Sequence, residues 1–191
     1  MNIGLFFGSF NPIHIGHLII ANTVAELKGI DQVWFIVSPL NPFKSSKNLL
    51  HEFDRMDMVE LAIEDNFNLR ASDIEFRMKR PSYTIDTLTY LSEKHPAYNF
   101  KLIIGGDNLR SFHKWKNHKA ILEHYGLIVY PRPQSIFPEE IKNHPNVKMI
   151  NAPLLDISAT YIRKQIREGK SIQYIVPQKV AEHIAFKKLY Q

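Results

Sequence analysis

The amino-acid sequence predicts an α/β fold: a doubly wound, mainly parallel sheet with helices on both faces. Three observations carry this expectation. Short apolar runs of strand length alternate with segments whose apolar residues recur every three or four positions. Loops rich in Gly, Pro, Asn and Ser follow the apolar runs directly. Strands that alternate with helices form βαβ units, which set the strands parallel and cover both faces of the sheet.

Residues 3–7 read as a buried strand, and residues from about 17 to 28 as a helix with Ile20, Val24 and Leu27 on one face. Residues 33–37 (VWFIV) form a second strand, closed by Ser38-Pro39. Residues 39–48, with two prolines and two lysines, read as a loop and a candidate lid. A helix from about 52 to 65 stacks Met56, Val59 and Ile63. Residues 69–72 form a strand, and residues 84–94 a helix with Ile85, Leu88 and Leu91 in register. Residues 100–104 are a strand that runs into Gly105-Gly106-Asp107. A helix at about 119–124, strands at 127–130 and 147–150, and helices at 158–168 and 178–189 complete the pattern. In the last helix, Val180 and Ile184 with Ala181 and Ala185 give a face for the core or for a partner subunit, which leaves a homo-oligomer open. A chain of 191 residues can bury one sizeable core. We therefore expect one domain over residues 1–191, with the C-terminal helices from about 158 packed on it.

Composition narrows the classes. There is no cysteine, which excludes disulfides, thiolate metal sites and a cysteine nucleophile, and fits a reducing cytoplasm. The N-terminus lacks a basic segment before an apolar run, and no apolar stretch approaches the roughly 18 residues of a membrane span. Net charge is +5, but the positive residues are dispersed, so anionic small substrates explain them better than nucleic acid.

In an open α/β sheet, ligands bind beyond the carboxyl ends of the strands. The loops placed there are residues 8–17, 38–48, 105–115 and 131–133. The first reads Gly8-Ser9-Phe10-Asn11-Pro12-Ile13-His14-Ile15-Gly16-His17. It joins a strand to a helix start, where unpaired N–H groups favour phosphate. Gly8 and Gly16 let the backbone approach a ligand closely. His14 and His17 stand three residues apart, so both can face one anion and offset charge that develops on phosphorus. Neither the dinucleotide fingerprint nor the P-loop pattern is present, and two histidines without a third ligand do not make a metal site. Near the end, Ile157-Ser158-Ala159-Thr160-Tyr161-Ile162-Arg163 offers Ser158 as a helix N-cap, with Thr160 and Arg163 one turn on.

Together these two segments resemble the signatures of the H-x-G-H nucleotidylyltransferases, G-[ST]-F-D-P-x-H-x-G-H and I-S-x-T-x-I-R. Residues 81–88 (PSYTIDTL), 104–107 (IGGD), 41–44 (NPFK), Trp115 and Arg132-Pro133 further resemble segments of the bacterial nicotinate-nucleotide adenylyltransferases. The resemblance implies a Rossmann-like, adenine nucleotide α-hydrolase-like fold. It implies adenylyl transfer from ATP to nicotinate mononucleotide, giving deamido-NAD and pyrophosphate, with magnesium carried on the phosphates rather than by protein side chains. Carried over by position, Gly8, Ser9, Phe10, His14, Gly16 and His17 meet ATP. Gly105 and Asp107 reach its ribose or adenosine part, and Ile157, Ser158, Thr160 and Arg163 its phosphates. Lys44 joins His14, His17 and Arg163 in the catalytic set. Asn11, Lys44, Tyr83, Thr84, Trp115 and Arg132 fall on the nicotinate mononucleotide side. The sequence departs from the family pattern at Asn11, where Asp is usual, at Phe7, at Phe43 and at Lys116. Nicotinamide mononucleotide, phosphopantetheine or a sugar phosphate as acceptor remain alternatives, as does an inactive nucleotide- or nucleic-acid-binding protein.

Overall fold

The computed structural model describes residues 1–40, 49–131, 139–153 and 155–191. In chain order the elements are β1 (Asn2–Gly8), α1 (Ile15–Ala25), β2 (Gln32–Val37), α2 (Glu52–Ile63), β3 (Leu69–Ser72), α3 (Thr84–Lys94) and β4 (Asn99–Gly105). There follow α4 (Gly106–Ser111), α5 (His118–His124), β5 (Leu127–Tyr130), α6 (Glu139–Lys142), β6 (Val147–Met149), α7 (Ala159–Arg167) and α8 (Gln178–Phe186). Short 3-10 turns lie at Ile74–Arg77 and Phe112–Lys114.

The strands form a sheet of order β3-β2-β1-β4-β5-β6. Every pairing among them is parallel, so the sheet is more uniform than the mainly parallel one expected. The chain first winds outward from β1 to β3, then returns to pair β4 on the other side of β1. The crevice between β1 and β4 is therefore the point at which the winding reverses, where an open α/β sheet accepts ligands.

Side chains alternate across this sheet as a pleated strand requires. Val33, Phe35 and Val37 of β2 pack on one face with residues of α1, α2, α7 and α8, while Trp34 and Ile36 pack on the other with residues of α3, α4 and α5. Both faces are thus buried, which is why the strands read as continuous apolar runs. Val180 and Ile184 turn into the first-face core of their own chain.

The structure corrects several expectations. Residues 105–115 are not a plain loop. Leu109 and Phe112, three apart, bury 0% and 1% exposed side chains and wind the segment into α4 and a 3-10 turn. The run is too short to show a helical period in sequence. Helix α1 ends at Ala25 rather than about residue 28, ahead of Gly29 in the left-handed region. Helix α8 ends at Phe186 rather than residue 189, because Lys188 and Tyr190 adopt positive φ and fold the tail back. On α2 the buried face carries Arg55 and Met58 with Val59 and Ile63, while Met56 is only half-buried. Phe35 is fully buried between the rings of Phe6 and Phe10, 5.6 and 5.3 Å away. Phe35→Ala should cost about 3–5 kcal/mol of stability; urea unfolding checks this, and a loss below about 1 kcal/mol would contradict the packing.

Candidate active site

A cavity of about 530 Å³ opens at the crevice between β1 and β4. Phe6, Phe7 and Gly8 from the end of β1 form its floor, and Ser9, Phe10, Asn11, His14 and His17 of the following loop its first wall. Asp107 and Asn108 of α4, with Tyr130 at the end of β5, form a second wall. Ile157, Ser158, Ala159, Thr160 and Arg163 close the third. The two sequence segments that pointed to phosphate, some 140 residues apart in the chain, thus meet across one cavity.

Local packing explains the first loop. Phe10 takes a φ of 44° and turns its ring, 2% exposed, into the core, where it stands edge-on to His17 at 5.1 Å. A Cβ at Gly8 would lie 2.7 Å from that ring. At Gly16 a Cβ would come within 3.1 Å of the His14 Nδ1. Both glycines therefore also sit against the loop's own side chains: a Cβ at Gly8 would displace the Phe10 ring, and one at Gly16 would press on His14. His14 caps α1, and its ring stacks on that of His17 with centroids 3.7 Å apart. The His14 backbone N–H donates to His17 Nδ1 at 3.3 Å. An accepting Nδ1 places the neutral ring's hydrogen on Nε2.

The third wall is pinned to the first. Ser158 caps α7 by accepting from the Tyr161 N–H at 3.2 Å, as its sequence position predicted. Arg163 donates through Nη2 to Thr160 Oγ1 at 3.2 Å and through Nη1 to the carbonyl of Asn11 at 2.8 Å. Burial pulls the Arg163 pKa down from its usual value, a shift that a guanidinium absorbs without losing its charge. Helices α1 and α7 both begin at this cavity, so two sets of N-terminal N–H groups and positive dipole ends converge there.

One residue that holds the site together went unnoticed in the sequence. Arg55 is fully buried. Its guanidinium donates to the carbonyls of Ser9 (2.6 Å), Ser38 (2.8 Å), Leu50 (2.9 Å) and Pro39 (3.3 Å). It ties the first loop to both flanks of residues 41–48. The available signal was spacing: Arg55 lies four residues before Val59, on the buried face of α2. Asn11 is a second node. Its Oδ1 accepts from the Leu50 N–H at 3.3 Å and from the Tyr190 hydroxyl at 2.9 Å.

The residues expected on the acceptor side fall in two places. Asn11 lines the cavity, but Tyr83, Thr84 and Trp115 are not among its lining residues. Tyr83 is the N-cap of α3 and Thr84 its first residue. Trp115 packs half-buried against Phe112 after the second 3-10 turn. Lys116 joins these places, with Nζ 2.9 Å from Asp86 of α3 and 4.9 Å from the Tyr83 ring centroid. Both side chains of that Lys116–Asp86 pair remain partly exposed. Gly105 is the N-cap of α4, immediately before the Asp107 turn. Lys44, Phe43 and Arg132 lie outside the described residues. Beneath the start of α3, Glu75 is 2% exposed and accepts from Ser82 (2.9 Å) and Thr87 (2.7 Å). Two positions of the PSYTIDTL segment therefore serve to anchor a buried carboxyl.

Residues 5–165 match the cytidylyltransferase-like family. Over its whole length the chain is 59% identical to the "Probable nicotinate-nucleotide adenylyltransferase" of Cytophaga hutchinsonii, covering 98% of that protein. The chain belongs to the nicotinate-nucleotide adenylyltransferase family. A second member, the protein of the same printed name from Flavobacterium johnsoniae, is 48% identical, and each chain is covered in full. The fold is shared with Plasmodium falciparum nicotinic acid mononucleotide adenylyltransferase complexed with NaAD, at a TM-score of 0.84 and 24% identity, covering 99% of this chain and 97% of that one.

Two outcomes follow for this family member. Stranding one buried acceptor costs about 1–3 kcal/mol, so Arg55→Met should lose at least that in urea unfolding; an unchanged midpoint would contradict the role given to Arg55. Burial raises the Glu75 pKa above its usual 4.5, against the lowering by Thr87, Ser38 and Ser82. The folded chain then binds more proton than the unfolded one. Its advantage is full below the unfolded value near 4.5 and declines as pH rises through the folded value. Stability of the native chain should fall across that window relative to Glu75→Gln, as read by urea unfolding at a series of pH values. Parallel curves would contradict it.

Proposed function

We propose that this chain transfers the adenylyl group of ATP to nicotinate mononucleotide, releasing pyrophosphate and forming deamido-NAD. One observation carries the reading: His14 and His17 at the start of α1 face Ser158, Thr160 and Arg163 at the start of α7 across a single cavity. Full-length relatives named as nicotinate-nucleotide adenylyltransferases support the choice of acceptor. Such a lining of N–H, hydroxyl and cationic groups suits a triphosphate more than a neutral ligand.

The acceptor's phosphate oxygen is already ionised at neutral pH and attacks the α-phosphorus, while the bond to pyrophosphate breaks opposite to it. Catalysis is then chiefly positioning and charge stabilisation. His17 offers Nε2–H to the phosphates, its ring fixed by the His14 N–H and by the edge of Phe10. Arg163 adds a fixed positive charge, and Ser158, Thr160 and the first N–H groups of α7 receive the leaving phosphates. Lys44 is assigned to the same cluster on family resemblance. This donor-rich wall fits phosphates that bring their own magnesium, which offsets negative charge on the leaving group. Gly105 and Asp107 are assigned to the ribose or adenosine side. Tyr83, Thr84, Trp115 and Arg132 are assigned to the nicotinate mononucleotide by resemblance.

The whole of residues 1–191 acts as one domain in this reading, because Ile162, Val180 and Ile184 of the C-terminal helices enter the core on the first face. Supply of ATP points to the cytoplasm; among the described residues no helix is long and apolar enough to cross a membrane.

Pyrophosphate release from ATP and magnesium, with nicotinate and nicotinamide mononucleotides compared side by side, tests the assignment. A strong preference for the nicotinate form is expected, and release with neither would overturn it. His17→Ala should lower kcat by about 10²–10³ with little change in urea midpoint. Wild-type turnover in that folded variant would remove His17 from the mechanism.

A further inference from the structure

Tyr190 packs in the core and bonds to a residue that lines the site. After α8 ends at Phe186, Lys188 (φ 52°) and Tyr190 (φ 66°) reverse the tail, and Leu189 N–H returns to the carbonyl of Ile184 at 3.0 Å. Tyr190 is thereby carried into the core on the first face of the sheet, 9% exposed. Packing alone would accept a phenylalanine there. The hydroxyl instead donates at 2.9 Å to Oδ1 of Asn11, itself 5% exposed, in a bond that is buried. The same oxygen accepts from Leu50, the carbonyl of Asn11 accepts from Arg163, and His14 follows three residues later. Asn11 is thus the point where the tail, the segment after residues 41–48, α7 and the phosphate-facing loop are joined.

We propose that Tyr190 is a positioning residue for adenylyl transfer: its hydroxyl fixes the Asn11 amide and so sets the loop that presents His14 and His17. The proposal rests on the adenylyl-transfer reading for its kinetic arm only. Tyr190→Phe removes one of the two donors shown on the Asn11 Oδ1, loosening the hold on the loop while the core stays filled. Small displacements of positioning groups are felt mainly in the chemical step. One buried hydrogen bond corresponds to roughly a five- to tenfold effect.

The test compares full-length wild type, Tyr190→Phe, Asn11→Ala and the double variant. In pyrophosphate release, Tyr190→Phe should lower kcat about five- to tenfold and leave KM for ATP within about twofold. The double variant should be no slower than Asn11→Ala, because Tyr190 acts through Asn11. In amide hydrogen exchange, Tyr190→Phe should speed exchange across residues 9–17 and leave β2 and β4 as they were. Wild-type kcat in Tyr190→Phe, additive losses in the double variant, or unchanged exchange in residues 9–17 would each overturn the proposal. An inactive wild type would count against adenylyl transfer itself, and the exchange arm would then decide the positioning role alone.

Discussion

The buried guanidinium of Arg55 is the interaction on which the site depends. A parallel sheet delivers loops to one edge but does not fix them to each other. Here one planar cation collects carbonyls from the first loop, from the end of β2 and from the entry to α2. Burial lowers its pKa, and the Glu52 carboxylate counters that shift. A buried charge is costly unless it is fully hydrogen-bonded, and the carbonyls supply those bonds. The arrangement makes the first loop part of the core rather than a surface connection.

Upon that base the site is a convergence of helix starts. The order of the sheet places β1 and β4 side by side, and α1 and α7 begin at the mouth of the same crevice. His14 and His17 stack within the first turn of α1, and Arg163 spans from α7 back to Asn11. The start of α3 lies apart from this cavity and is held by its own buried carboxyl, Glu75, and by the Lys116–Asp86 pair. The protein thus has two separately braced regions beyond the strand ends, one suited to phosphates and one assigned to the acceptor.

Much of this was legible in the sequence, for physical reasons that differ by element. Strands buried on both faces announce themselves as apolar runs, so β2 and β5 fall within about one residue of their expected bounds. Helix α3 was legible because Ile85, Leu88 and Leu91 all bury. The short α4 was not, since two apolar anchors make no period. His14, His17 and the Ser158 cap were legible because their chemistry is local to a strand-to-helix turn or a helix start. Arg55, Glu75 and Tyr190 were not: each acts through partners outside its own element, and a charged or hydroxyl group on an apolar face looks like a surface residue until the fold shows what it touches. The glycines of the first loop were recognised, and in the fold they also make room for the rings of Phe10 and His14.

The most direct test of the central claim is a crystal structure with a non-hydrolysable ATP analogue and magnesium. The account predicts the triphosphate in the cavity between the starts of α1 and α7, with phosphate oxygens at hydrogen-bond distance from His17 Nε2 and from Ser158 or the first N–H groups of α7. A triphosphate bound elsewhere, or one that leaves His17 and α7 without phosphate contacts, would contradict it.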